Sequence, residues 1–328
     1  MDADSRSRRK LRVLLGMLLS SFATPAFADT LYISNEESNV VHVVDGATGR
    51  IEGSIATGLR PRGLALSPDG RKLYVAASDS NRIEEIDLHT RKVDRLLPSG
   101  SDPERFVVSP DGRRLYIANE DHSAVSFVDL ATGKIVSEVS VGPEPEGMGV
   151  SPDGRLVIAT SEGASTAHFI DAAGGKLLDS VIVGSRPRDA LFLDGGKRLW
   201  VSSELRGTIT VFDPATRKIV DTIDLVAAFP DLQTVQAVEM EVTHDNRRAF
   251  VAMGRSNQVA EIDPSTDKVV RSFPTGERTW GAALSPDDKR LYAVSGLSGD
   301  LTIVDLVANK VIATVKLGGK PWGVVSTP

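Results

Sequence analysis

The sequence predicts an all-β fold, a seven-bladed β-propeller of four-stranded blades, on three observations. A hydrophobic-Asp pair recurs at Asp45, Asp87, Asp129, Asp171, Asp213, Asp263 and Asp305, in steps of 42 residues apart from one of 50. A second marker, Ser-Pro-Asp-Gly at 67–70, 109–112 and 151–154, keeps the same phase. It degenerates to Leu193-Asp194-Gly195-Gly196, His244-Asp245-Asn246 and Ser285-Pro286-Asp287-Asp288. Two markers in one phase at a period near 42 belong to stacked or ring architectures. The ends of the array are complementary: Leu31-Tyr32-Ile33 reads as the second strand of a unit and Trp322-Gly323-Val324-Val325 as a first strand. An open stack would leave bare edges and needs polar capping repeats, so the last strand is expected to complete the first blade and close the ring.

Each unit reads as four strands, a to d. In the second, Gly63 to Leu66 is strand a and Ser-Pro-Asp-Gly the first turn. Lys72 to Ala76 is strand b, Arg82 to Asp87 strand c and Lys92 to Leu97 strand d. Proline presets φ for the second turn position and glycine accepts the positive φ that follows. Ala-Thr-Gly at 47–49 and 131–133 serves the outer hairpin in the same way. Runs of about five residues between regular turn signals, without helical periodicity, give an all-β array and no helix after residue 28.

Residues 1–28 read differently. Arg6, Arg8, Arg9, Lys10 and Arg12 precede an apolar run from Val13 to Phe22, and Ala26-Phe27-Ala28 supplies a cleavage pattern. This predicts a secretory signal peptide, by the general secretory route rather than the twin-arginine one, and a propeller over 29–328. The apolar run is short for a bilayer span, so no membrane span is expected after cleavage. With no lipid-anchor cysteine, the bacterial periplasm is the expected compartment. The absence of cysteine excludes Cys-ligated zinc, iron–sulfur clusters and a Cys nucleophile. The segment 1–28 carries five bases and two acids, so 29–328 carries −9 against −6 for the whole chain. An acidic body argues against nucleic acid as a partner, because phosphate contacts need Lys and Arg.

Leu31-Tyr32-Ile33-Ser34-Asn35, Leu73-Tyr74-Val75-Ala76 and Leu115-Tyr116-Ile117-Ala118-Asn119, with Val43-Val44-Asp45, Phe127-Val128-Asp129 and Ile303-Val304-Asp305, resemble YVTN-family propeller repeats over all of 29–328. Arg60-Pro61-Arg62-Gly63, Glu144-Pro145-Glu146-Gly147-Met148, Ala167-His168-Phe169-Ile170-Asp171, Trp200-Val201-Ser202-Ser203-Glu204 and Lys320-Pro321-Trp322-Gly323 are similar to the PQQ-dependent catabolism-associated β-propeller proteins. The resemblance implies export and a setting beside quinoprotein alcohol oxidation, with a periplasmic quinoprotein dehydrogenase or transport component as partner; it implies no reaction. Asp45-x-x-Thr48-Gly49 and Asp129-x-x-Thr132-Gly133 also resemble the tryptophan-docking repeats of quinoprotein dehydrogenases. Gly53 and Ser137 stand where those repeats carry Trp, so PQQ is not expected to bind this chain.

Loops between strands d and a, and between b and c, gather on one face of a propeller around the channel mouth. Positions that vary between otherwise uniform repeats are released from the scaffold. The first d-to-a position reads Arg60, Asp102, Glu144, Arg186, Gln236, Arg278, Lys320; the next but one reads Arg62, Glu104, Glu146, Arg188, Val238, Trp280, Trp322. The b-to-c loops add Glu36, Glu120 and Glu204, spaced 84 apart, with Glu162 read as one place off that register. The candidate ligand- or partner-binding set is therefore Glu36, Arg62, Glu104, Glu120, Glu146, Glu162, Arg188, Glu204, Trp280 and Trp322. Such a set can bind a polar ligand or a divalent cation. The alternatives are mutual ion pairing for the charges and packing between blades for the two Trp. The five His fall in different phases, with no pair at metal-ligand spacing; His168 is the one to watch. The extra residues of the fifth unit, Ala227 to Thr234, offer a lid or a partner contact through Phe229 and Leu232, or else a tolerated surface loop.

No catalytic residue is assigned. The leading expectation is a monomeric, non-enzymatic binder of a partner protein or small polar ligand. A lactonase-like hydrolase using funnel carboxylates with a divalent cation, and a purely structural interaction module, remain the alternatives.

Overall fold

Strands of six or seven residues, shortened to three and four in the inner pair of blade 6, produce seven antiparallel four-stranded sheets in the computed structural model, which describes residues 29–328. The signal peptide expected over 1–28 lies outside the described residues. Blade 1 joins the two ends: Pro321–Thr327 pairs with Thr30–Asn35, followed by Val40–Asp45 and Ile51–Ala56. Ile33 stands opposite Val324 and Tyr32 opposite Val325. Asp29, just before this strand pair, ties it to blade 7 by accepting a hydrogen bond from the Tyr292 hydroxyl at 2.5 Å. Blades 2, 3, 4 and 5 begin at Pro61, Pro103, Pro145 and Pro187, blade 6 at Met240 and blade 7 at Thr279. Proline suits the first residue of a strand, where no ladder donor is lost.

Strands b and c are buried almost throughout, whereas d strands are largely exposed as the outer edge, with at most one buried residue each. Burial is shared between blades. Tyr116 and Phe127 meet edge to face at 4.6 Å in a cluster that includes Met148 and Ile170 of the next blade. The turns carry the chemistry their residues suggest. Ser67 Oγ donates to Asp69 at 2.6 Å and accepts from the Lys72 amide at 3.0 Å, while Gly70 takes φ +67°.

The absence of helix is corrected at one place. Leu225–Ala228 forms a single helical turn, with the Asp224 carboxylate accepting from the Ala227 amide at 2.9 Å. Three 3₁₀ turns also occur, at Ser78–Ser80, Glu120–His122 and Asp194–Gly196. The helical turn starts the insertion of the fifth unit, and Phe229 and Leu232 of that insertion pack onto the core shared by blades 5 and 6. Their apolar area is spent on the scaffold, so they do not hang over the mouth as a lid. Among the described residues, no helix is long and apolar enough to cross a membrane.

Six of the seven innermost strands share an irregularity. Register slips after the first residue, for example between Pro61 and Leu64 and between Pro187 and Asp189. Such bulges re-aim side chains. The residues next to the slip, Arg62, Glu104, Glu146, Arg188, Trp280 and Trp322, are the ones that meet at the channel mouth.

Candidate functional site: a charged funnel floored by two tryptophans

The funnel is assembled by a repeated backbone bond. The amides of Glu36, Ser78, Glu120, Glu162, Glu204 and Gly296 donate to the carbonyls of Lys320, Arg60, Asp102, Glu144, Arg186 and Arg278, at 2.8–3.1 Å. This corrects the placement of Glu162: it occupies the same repeat position as Glu120 and Glu204, one blade between them. Arg60, Asp102, Glu144, Arg186 and Arg278 all have left-handed backbones, with φ of 53–59°. That conformation is costly for a residue with a Cβ and persists only where surroundings over-determine it. Here Asn39, Asn81 and Asn257 accept from the amides of Arg60, Asp102 and Arg278 at 2.8, 2.8 and 2.9 Å.

All ten residues expected from the sequence converge. Glu36, Arg62, Glu120, Glu146, Arg188, Trp280 and Trp322 line one cavity of about 440 Å³. Glu104, Glu162 and Glu204 stand behind it in ion pairs. The charges form two knots. In the first, Arg62 donates to Glu36 at 2.6 Å and to Glu104, and Arg60 reaches Glu104 at 2.5 Å and Asp102 at 2.9 Å. In the second, Arg188 donates to Glu204 at 2.7 Å and to Glu146, and lies against Glu162. Arg186 pairs with Glu162 at 2.5 Å, and the Gln236 amide donates to Glu204 at 2.9 Å. Of the two sequence alternatives, mutual pairing therefore describes most of the carboxylates.

The tryptophans serve both alternatives. Trp280 and Trp322 pack with Val238 and Ala252, only 5% and 7% exposed, and still floor the cavity. Arg188 and Arg278 lie over Trp280 with centroid distances of 4.7 and 4.5 Å; Arg62 and Arg105 lie over Trp322 at 5.7 and 4.8 Å.

Electrostatics divide the carboxylates. Burial opposes the Glu104 charge, but Arg62 and Arg60 hold its pKa below the ordinary value. Burial and the neighbouring Glu104 raise Glu120 to about 7, and burial also raises Glu162 to about 7 against the pull of Arg186. Asp102, Glu104 and Glu120 bring carboxylate oxygens within 4.8 Å of one another, close enough for one divalent cation. Arg60 and Arg62 already neutralise Glu104, which weakens that site for a cation.

His168 takes a structural place. Its Nε2 accepts from the Gly142 amide at 3.1 Å, and its Nδ1 lies 2.8 Å from Ser180 Oγ. That arrangement fits a neutral ring with the proton on Nδ1, and burial lowers its pKa to about 4. Its work is to anchor a d-to-a loop.

Sequence reasoning passed over the next ring inward. One residue beyond the funnel positions, the repeats read Gly63, Arg105, Gly147, Asp189, Glu239, Gly281 and Gly323. A Cβ at Gly63, Gly147 or Gly281 would lie 2.5–2.6 Å from a neighbouring blade's backbone, so glycine permits the inner strands to close up. The three charged members meet inside the channel: Arg105 donates to Glu239 at 2.8 Å, and Asp189 accepts from the Met240 and Ala190 amides at 2.8 and 2.9 Å. The alternation of glycine with charge was the available signal.

Comparisons with known proteins place this geometry on a familiar scaffold. No curated protein sequence matches the chain. Among solved structures, it is similar to hydrazine synthase of Kuenenia stuttgartiensis, with 21% identity over 84% of this chain and 93% of that one and a TM-score of 0.70. It is similar to a functionally unknown protein from Desulfotomaculum acetoxidans DSM 771, with 16% identity over 90% and 98% of the two chains and a TM-score of 0.75. It is also similar to the dihydro-heme d1 dehydrogenase NirN, with 16% identity over 90% and 74% and a TM-score of 0.66. At these identities the likeness is one of fold, shared by proteins of diverse roles. Residues 118–291, more than half of the chain, match the family described as the choice-of-anchor I domain, and the protein belongs to that family.

Proposed function

We propose that this chain is an exported, non-enzymatic binding module that captures a small polar ligand or a segment of a partner protein in its funnel. The observation that carries the reading is the state of the funnel carboxylates. Glu104, Glu146, Glu162 and Glu204 are held by Arg60, Arg62, Arg186 and Arg188, which suits a rigid, pre-formed recognition surface. A rigid site loses little conformational entropy on binding. The cavity's mixed charge above two tryptophans supplies both orientation and contact area.

The resemblance of the repeats to PQQ-dependent catabolism-associated propellers supports a finer reading: a periplasmic role beside quinoprotein-dependent alcohol oxidation, with a dehydrogenase or transport component as partner and without PQQ bound to this chain. The test uses residues 29–328 as bait against periplasmic extract from cells growing on an alcohol, with mass spectrometry of retained proteins and small molecules. A retained component lost on introducing Leu297→Asp with Lys320→Glu at the funnel rim is the expected result. Equal retention by that variant, or nothing retained, refutes the reading.

A second reading, a metal-assisted hydrolase, is favoured by one observation: Glu120, with its pKa raised to about 7, beside Asp102 and Glu104. Such a carboxyl can exchange protons near neutral pH. Calcium or magnesium at millimolar concentration should then raise the melting temperature, and lactone hydrolysis should fall with Glu120→Gln.

A further inference from the structure

Three residues at one repeat position, Arg60, Arg186 and Arg278, are held by the same left-handed backbone and point into the same cavity. Two of them are neutralised within the fold. Arg60 reaches Asp79, Asp102 and Glu104, and Arg186 reaches Glu162 and Glu204. Among the described residues, no carboxylate lies within 4 Å of Arg278, nor of Lys320, which holds the same position in the next blade.

The repeats show why. Where blades 3, 4 and 5 place Glu120, Glu162 and Glu204, blades 6 and 7 have Gly254 and Gly296. Where blades 3 and 4 place Glu104 and Glu146, blades 7 and 1 have Trp280 and Trp322. Glu36 stands beside Lys320 in sequence phase, but Arg62 has taken it. One sector thus keeps its cations while Gly296 and the two tryptophans stand where other blades carry acids, and its remaining acid, Glu36, is committed to Arg62. Arg278 is fixed as well as unpaired. Its amide is held by Asn257, its carbonyl by the Gly296 amide, and its guanidinium lies over Trp280. Burial and the nearby Arg255 disfavour its charge more than the distant pull of Glu204 and Glu36 favours it, so an anion would relieve the site.

We propose that this sector binds the carboxylate of a small organic acid between Arg278 and Lys320, with Trp280, Trp322 and the exposed Leu297 against its apolar body. A guanidinium takes a carboxylate through two parallel hydrogen bonds, and 440 Å³ suits a small molecule. Glu120, which no cation pairs among the described residues, lines the same cavity, and with the apolar faces of Trp280, Trp322 and Leu297 it disfavours a second negative charge on the ligand. A monocarboxylate with an apolar body therefore fits better than a phosphate ester. The inference rests on the binding reading above and names its ligand class.

The test is the indole N–H signals in NMR of residues 29–328. The chain has three Trp, and Trp200, buried away from the cavity, is the internal control. Benzoate and hexanoate are compared with benzamide and hexanamide. The carboxylates should shift the Trp280 and Trp322 signals saturably in the millimolar range, at least about tenfold more tightly than the amides. Arg278→Gln and Lys320→Gln should each weaken carboxylate binding by about tenfold and leave the Trp200 signal unmoved. Amides binding as tightly as carboxylates, benzyl phosphate binding as tightly as benzoate, indifference to both substitutions, or no shift at about 10 mM carboxylate would each overturn the proposal. Failure here with a component still retained from extract leaves the funnel a binding site for another chemistry. Discrimination here with nothing retained from extract leaves the carboxylate site standing and sinks the partner protein and the quinoprotein setting instead.

Discussion

Arg188→Met tests the idea that guanidinium groups hold the funnel together. Arg188 is 7% exposed at its side chain and is shared by Glu146, Glu162 and Glu204, themselves only 2, 3 and 9% exposed. Methionine keeps much of the volume over Trp280 but removes the charge, leaving three buried carboxylates with Arg186, itself 44% exposed, as the remaining cation on Glu162 and Glu204. Removing one partner of a buried ionic cluster costs about 3–5 kcal/mol. For roughly 300 ordered residues the unfolding entropy near the midpoint is about 0.6 kcal/mol per kelvin, so the melting temperature should fall by about 5–8 °C at pH 7.5. The pH dependence carries a sign. In the variant the orphaned carboxylates have folded-state pKa values above their unfolded ones. Folding then binds protons, and stability returns as pH falls from above the folded pKa toward the unfolded value. Differential scanning calorimetry at pH 7.5 and 5.0 reads both effects. A drop below about 2 °C, or the same deficit at both pH values, refutes the reasoning.

Three further outcomes are expected. In the wild type, Glu120 and Glu162, both raised to about 7, contribute stability that is complete below the unfolded carboxyl range and lost as pH rises through 7. Denaturant midpoints should therefore fall between pH 6 and 8, and Glu120→Gln should flatten that slope; an unchanged slope would exonerate Glu120. His168 should titrate near pH 4 in side-chain NMR, and His168→Ala should cost about 1–3 kcal/mol by emptying a buried site and leaving the half-buried Gly142 amide without its acceptor. A midpoint above 6, or a cost below about 0.5 kcal/mol, would mean the ring is not the anchor. Deleting Pro321–Thr327 removes the strand that pairs with Thr30–Asn35 and should lower the melting temperature by more than Arg188→Met does. A smaller loss would show that the ring does not depend on its closing strand.

Much of the fold was legible because a repeated sequence carries its own control. The 42-residue period, the Ser-Pro-Asp-Gly turns and the split unit at the ends define seven blades without any knowledge of tertiary contacts, since turn chemistry and strand alternation are local properties. The ten funnel residues were legible for a related reason: loops at one repeat position must lie on one face of a ring. The helical turn at Leu225–Ala228 was not legible, because a single turn has no periodicity and depends on Asp224 capping an inserted segment packed on blades 5 and 6.

Composition and spacing by themselves determine how many sheets form and which face the variable loops share. Only the closed ring decides who pairs with whom. Arg188 is 42 residues from Glu146 and 16 from Glu204, and Arg105 reaches Glu239 across the channel over 134 residues. Those distances collapse only when blades wrap around a common axis. The same wrapping leaves Arg278 and Lys320 beside glycine and tryptophan, without the acids that neutralise their counterparts. Ion pairing depends on separation in space, which a linear sequence does not contain until the ring is shut.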